Sequence, residues 1–210
     1  MNKYIVEFIG TFFLVLTVGC SVVIGGAGPL TPLAIGAVLM VMIFAGGHIS
    51  GGHFNPAVTL AVWVRGRCAT KDVVPYMAAQ VAGAVVAALV TCYLKGSRPV
   101  KPIELDGGVG PVLVAEFLFT FALAYVVVNV ATAKANTGNS FYGLAIGFTV
   151  LAGAVAVGSI SGGAFNPAVA VGISVLGMSA WSSLWIYLLA NLAGGAAAGA
   201  AFRLLNPEDA

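Results

Sequence analysis

Apolar residues run through this chain in long unbroken stretches, and polar residues gather in short clusters between them. Six runs, at 4–24, 32–48, 73–94, 110–131, 141–159 and 181–203, match the roughly 20 residues that a helix needs to cross a bilayer. They predict six transmembrane helices and little chain outside the membrane. The first run carries Lys3 and Glu7 at its start, with no small-residue cleavage site leading to a polar mature domain, so it reads as a retained span and not a removable signal peptide.

Two places interrupt the pattern in the same way. "ISGGHFNPAV" at 49–58 returns as "ISGGAFNPAV" at 160–169, a shift of 111 positions. At the same shift "LAIG" at 33–36 recurs at 144–147, and "AQVAGA" at 79–84 becomes "ANLAGG" at 190–195, placing Tyr76 on Tyr187 and Gln80 on Asn191. "VEFIGTF" at 6–12 resembles "AEFLFTF" at 115–121 with a nearly equal offset, pairing Glu7 with Glu116. Such ordered matches indicate a tandem duplication, with a first repeat over 1–108 and a second over 109–210. Each repeat holds three crossings, an odd number, so the second enters the membrane from the opposite face. Inverted repeats set equivalent segments face to face near mid-depth, and the two "FNPAV" segments are expected to meet there.

The doubled segment has a definite local chemistry. The glycine-rich stretch 46–54 halts the preceding helix, and Asn55, Pro56 and Ala57 open a new one. Asparagine is a preferred N-cap, and proline at the first helical position gives up an N–H that has no helical partner. Asn166, Pro167 and Ala168 repeat the arrangement after Gly162 and Gly163. Each new helix, roughly 10 residues and about 15 Å long, covers half a bilayer. The expected fold is therefore an all-α membrane protein with six transmembrane helices, two re-entrant half-helices and inverted repeats. Each re-entrant loop is expected to run in as extended backbone and out as half a helix. Non-helical backbone at that depth must be buried in protein or line a wet cavity. The carbonyls of Gly51, Gly52 and His53, and of Gly162, Gly163 and Ala164, become acceptors along an aqueous path, and the two Asn amides become donors at its centre. Both half-helices aim their positive ends, each about half an elementary charge, at that centre. Cations are repelled there, while a neutral molecule able to donate and accept is passed along.

Composition narrows the function classes further. The chain is 60% hydrophobic and 8% charged, with a mean hydropathy of +1.04. Its net charge of +2 comes from scattered single residues, which suggests neither nucleic acid nor an acidic partner. Lys3, Arg65, Arg67, Lys71, Lys134 and Arg203 fall on one side of the scheme, while Lys95, Arg98 and Lys101 share a connector with Glu104 and Asp106. The positive-inside rule then puts both termini in the cytoplasm. Cys20, Cys68 and Cys92 lie far apart without ligand spacing and read as small packing residues. His48 and His53 flank the first glycine run but have no third ligand near them, so no metal site is expected. His48 reads as a loop-bracing hydrogen-bonding group. Trp63, Trp181, Trp185 and Tyr187 lie near span ends, where they can anchor at the interface; Tyr187 can instead pack against its neighbours. No nucleophile, metal centre or phosphate loop points to an enzyme, and no cofactor is implied.

With its paired Asn-Pro-Ala motifs the sequence resembles the aquaporin, or major intrinsic protein, family across the whole chain. The resemblance implies a right-handed bundle of six spans and two half-helices, one pore per subunit, passive flux of water or small neutral solutes, and a homotetramer. It makes Asn55 and Asn166 the pore asparagines, and Glu7 and Glu116 the buried glutamates that hold the loop backbones. A relay of protons or ions through these carboxylates is the other reading, since intramembrane carboxylates are functional by default, but their matched places favour the structural one. The chain departs from the family pattern at Val169, where most members carry an arginine. Counting from the motifs puts the other filter positions at Ile35, Ala154 and Gly163. None of the four is aromatic or charged, and this implies a wide, largely apolar mouth. Glycerol, urea, ammonia, hydrogen peroxide or a neutral metalloid hydroxide could then pass with water. The competing readings are a strictly water-selective channel, an ion-coupled transporter and a non-conducting structural membrane protein. Short loops point to a prokaryotic inner membrane.

Overall fold

The computed structural model describes residues 1–23, 27–96, 100, 102–103 and 108–209. All regular structure among them is helical. Six long helices, α1 (Asn2–Val23), α2 (Thr31–Ser50), α4 (Thr70–Lys95), α5 (Val109–Thr132), α6 (Tyr142–Ser161) and α8 (Leu184–Leu205), are long and apolar enough to cross a membrane. Between them lie two nine-residue helices, α3 (Pro56–Val64) and α7 (Pro167–Val175). The long helices overrun the predicted spans by one to three residues at most ends. The last begins later than expected, because Trp181–Ser183 form a 3-10 turn first. Arg98, Lys101, Glu104 and Asp106, which entered the charge argument, lie outside the described residues.

Outward faces of the long helices carry Ile5, Ile9, Phe13, Leu118, Phe148 and Leu189 exposed. In water such a surface would be unsustainable; against lipid tails it carries no penalty. Helix packing inside the bundle follows from small residues. Gly36 of α2 and Gly147 of α6 face each other so closely that a Cβ on either would strike the other's carbonyl. Gly195 and Gly199 of α8 give the same room to the Ala57 and Ala61 carbonyls of α3. Small residues at such crossings let backbones approach within dispersion range. Each half-helix is thereby clasped by a long helix of the other repeat: α3 by α8, and α7 by α4, where Gly172 lies beside Val15 and the Ala84 carbonyl.

Most of the described basic residues lie at one end of the bundle, whereas Lys95, at the last turn of α4, lies at the other. Lys3 pairs with Asp72 at 2.6 Å, Arg65 pairs with Asp209 at 2.8 Å, and Arg203 reaches the Val64 carbonyl at 3.4 Å. Helix α3 ends there, at Arg65. Helix α7 ends at the opposite face, where the carbonyl of Met178 accepts from Ile103 in the connector between α4 and α5. The half-helices thus start in the middle and run out to opposite ends.

Candidate functional site

Each half-helix starts at an extended asparagine, Asn55 with φ −159° and Asn166 with φ −160°. The Asn55 side-chain oxygen accepts from Ala57 N–H at 2.8 Å, and that of Asn166 accepts from Ala168 N–H at 2.9 Å. The amide nitrogens work across the repeat boundary. Asn55 Nδ2 donates to the Phe165 carbonyl at 2.8 Å, and Asn166 Nδ2 donates to the Phe54 carbonyl at 2.9 Å. The two caps therefore tie the half-helices together head to head. One N–H of each amide is spent on this clasp, and the other is left for the cavity that both residues border. Pro56, Ala57, Pro167 and Ala168 are buried in the first helical turns and border no described cavity. They shape the caps, and of these six residues Asn55 and Asn166 border the cavity.

The loops ahead of the caps depart from the extended backbone that the sequence suggested. Gly51, Gly52 and Phe54 have φ of 90°, 64° and 48°, and Gly162, Gly163 and Phe165 have φ of 84°, 66° and 48°. Glycine takes this left-handed region freely, but phenylalanine rarely does. A carboxylate holds each Phe there. Glu7 accepts from His53 N–H at 2.9 Å and Phe54 N–H at 2.6 Å; Glu116 accepts from Ala164 N–H at 2.9 Å and Phe165 N–H at 2.7 Å. With the loop N–H groups turned inward to these buried acids, the carbonyls of Gly51, Gly52, His53, Gly162, Gly163 and Ala164 are used by none of the hydrogen bonds among the described residues. Their acceptor capacity is unspent among the described residues.

Further braces escaped the sequence reading. Ser50 and Ser161 hydroxyls donate to Glu7 and Glu116, both at 2.7 Å. Tyr76 and Tyr187 hydroxyls donate to the Ser50 and Ser161 carbonyls at 2.7 and 2.8 Å. Tyr187 is thus fully buried and is no interface anchor, whereas Trp63, Trp181 and Trp185 are exposed at helix ends. Gln80 donates to Glu7 at 2.7 Å and to Thr59 at 2.9 Å; its counterpart Asn191 accepts from Thr120 at 2.9 Å. The signal was present in the repeat alignment, which superposed Tyr76 on Tyr187 and Gln80 on Asn191. His48, by contrast, stands exposed on the last turn of α2 and makes none of the described loop contacts. A helical residue two places before Ser50 points away from the loop that Ser50 faces, so the bracing falls to the serine. His53 is buried, its Nδ1 3.1 Å from Thr59 Oγ1 and its ring 5.0 Å from that of Tyr76.

A cavity of about 300 Å³ lies on the α7 side of the asparagines, and a second of about 510 Å³ opens toward the basic end. His53 and Val127 border both. Ile35, Ala154, Gly163 and Val169 all line the first cavity, together with His53, Gly162 and Ala164; Gly51 lines the second, and Gly52 lines neither. No charged side chain borders the first cavity among the described residues. Asn55, Asn166 and Thr31 border this cavity together with aliphatic side chains such as Leu14, Leu39 and Ile146. This arrangement can hand a neutral molecule from acceptor to acceptor.

Comparison with known proteins agrees with this geometry. The chain is 38% identical over 98% of its length to "Aquaporin NIP1-4" of Oryza sativa subsp. japonica, of which it covers 77%. It is 36% identical to "Glycerol uptake facilitator protein-like 6" of Lactiplantibacillus plantarum, with each chain covered completely. The fold superposes on the X-ray structure of the aquaglyceroporin from Plasmodium falciparum with a TM-score of 0.84, over 99% of this chain and 97% of that one, at 20% identity. The family model described as Major intrinsic protein matches residues 1–202. With eight α-helices in this order among the described residues, twin capped half-helices at the centre and a sequence match along nearly its whole length, the chain belongs to the major intrinsic protein family, as an integral multi-pass membrane protein.

Proposed function

We propose that this protein is a passive channel for water and small uncharged solutes such as glycerol, urea, ammonia, hydrogen peroxide or neutral metalloid hydroxides, and that it excludes ions and protons. One observation carries the wide-pore reading: Ile35, Ala154, Gly163 and Val169 converge on a single cavity, and none brings a charged, aromatic or hydrogen-bonding side chain to it. A filter without fixed donors discriminates by diameter more than by hydrogen bonding. Polar contact is left to the loop carbonyls and the two asparagines. Exclusion of cations then rests on the paired half-helix ends, whose positive poles meet at the Asn55–Asn166 clasp. The two repeats, 1–108 and 109–210, contribute one half-helix each to this centre. We assign the protein to a prokaryotic inner membrane with the basic end, and both termini, in the cytoplasm, and expect four copies to assemble as a homotetramer with one pore each.

Stopped-flow light scattering on proteoliposomes tests the reading directly. Water and glycerol permeabilities both well above those of empty liposomes are expected. Fast water flux with glycerol flux no greater than background would establish the strictly water-selective alternative instead.

A further inference from the structure

Ile103 belongs to the connector between α4 and α5, far in sequence from either Asn-Pro-Ala motif, yet it stands at the outer cavity. Its backbone N–H donates to the Met178 carbonyl, just past α7, at 2.7 Å. Its side chain covers Gly162 so closely that a Cβ added there would fall 2.5 Å from Ile103 Cδ1. Gly162 and Gly163 both have positive φ, which leaves this wall of the path without side chains of its own. Ala154 and Val169 are short. The side chain lying over Gly162 is therefore that of Ile103.

We infer that Ile103 is a fifth member of the outer constriction, an apolar stop seated on Gly162 that sets the largest neutral solute the pore admits. The inference deepens the proposed channel function and rests on its assignment of the 300 Å³ cavity to the solute path. A branched hydrocarbon adds no donor or acceptor, so it selects on size and shape. The solutes that suit such a mouth are short polyols and amides, which can turn their polar groups to the Gly163 and Ala164 carbonyls and their carbon edge to Ile103, Ile35 and Val169. Longer polyols should be stopped there. Because the Met178 bond uses only backbone atoms, replacing the side chain leaves the connector anchored.

The test compares wild type with Ile103→Ala and Ile103→Trp in proteoliposomes, reading water, glycerol and a five-carbon polyol by stopped flow and normalising to incorporated protein. Ile103→Ala should raise the five-carbon polyol flux severalfold relative to glycerol, with water little changed. Ile103→Trp should cut glycerol flux severalfold while water persists. Unchanged flux ratios in both variants would overturn the assignment, as would loss of water flux in Ile103→Ala, since truncating a stop cannot close a pore. If wild type conducts water alone, the wide-pore reading fails separately. The appearance of glycerol flux in Ile103→Ala would then still support the stop, and its absence would remove it.

Discussion

At position 169 a buried valine, 5% exposed, follows the second Asn-Pro-Ala and borders the outer cavity. An arginine there would bring a fixed positive charge and up to five donors. In Val169→Arg we expect glycerol flux to fall sharply relative to water flux; an unchanged ratio, read by stopped-flow light scattering, would mean that the pore already excludes glycerol elsewhere. Glu116 is a carboxylate inside a membrane-spanning helix whose described contacts are with the second re-entrant loop. It is fully buried, and both oxygens are taken by loop N–H groups and Ser161. Removing it strands the Ala164 and Phe165 N–H groups, at about 1–3 kcal/mol each. Glu116→Ala should therefore reduce the yield of monodisperse protein in size-exclusion chromatography, while any surviving channels keep the wild-type ratio of glycerol to water permeability. A shifted ratio with normal yield would point to a direct role in permeation. Repeat pairing of Glu7 with Glu116 was enough to anticipate the acids, but not their serine partners, because a serine in a glycine-rich turn carries no signature of where its hydroxyl points.

At the scale of elements, hydropathy located every long helix, since the bilayer fixes both length and composition. The half-helices were equally legible from Asn-Pro-Ala, whose cap chemistry is local. Their loops were not. Whether Phe54 and Phe165 take φ of 48° depends on a carboxylate 47 or 49 residues away, and no local propensity encodes that. Helix spacing is likewise set by contacts between distant residues. Gly195 lies against the Ala57 carbonyl, so Gly195→Val must push α8 off α3, and overpacking of this kind typically costs about 1–3 kcal/mol. The thermal midpoint in detergent should fall, together with water flux, because α3 carries Asn55. Retention of both would show that α8 has room to shift.

For the whole molecule, the basic end is drawn together by Asp209. Arg65, buried at the end of α3, donates to the Asp209 carboxylate at 2.8 Å and to its carbonyl at 2.6 Å, and its guanidinium lies 4.2 Å from the Phe202 ring centre. The Lys134 N–H donates to the same carboxylate at 2.7 Å. That backbone bond, followed by Arg65, holds the Asp209 carboxyl below its ordinary value of 3.8. A depressed carboxylate contributes stability above its unfolded value and loses it as pH falls through the folded one. The segment 207–209 should therefore stay docked through neutral and mildly acidic pH, loosening only below 3.8. In Asp209→Asn it should be loosened at neutral pH as well, which hydrogen exchange over 203–209 would detect as faster amide exchange. Equal protection in the two proteins would mean that the backbone contacts to Arg65 suffice. Scattered single cations offer no hint of this pairing, since Arg65 and Asp209 stand 144 positions apart.

By itself the sequence determined the membrane environment, the six crossings, the twofold repeat and the two capped half-helices, because each follows from short-range physics: apolar length, odd crossing number, and cap residues beside their own helix. Tertiary structure alone decided what the repeats do to each other. The reciprocal bonds of Asn55 to Phe165 and Asn166 to Phe54, the left-handed loop backbones, the exposure of His48 and the seat of Ile103 on Gly162 all join residues remote along the chain. Such contacts form only once packed helices bring them within hydrogen-bond or van der Waals reach, so nothing in a local pattern could have fixed them.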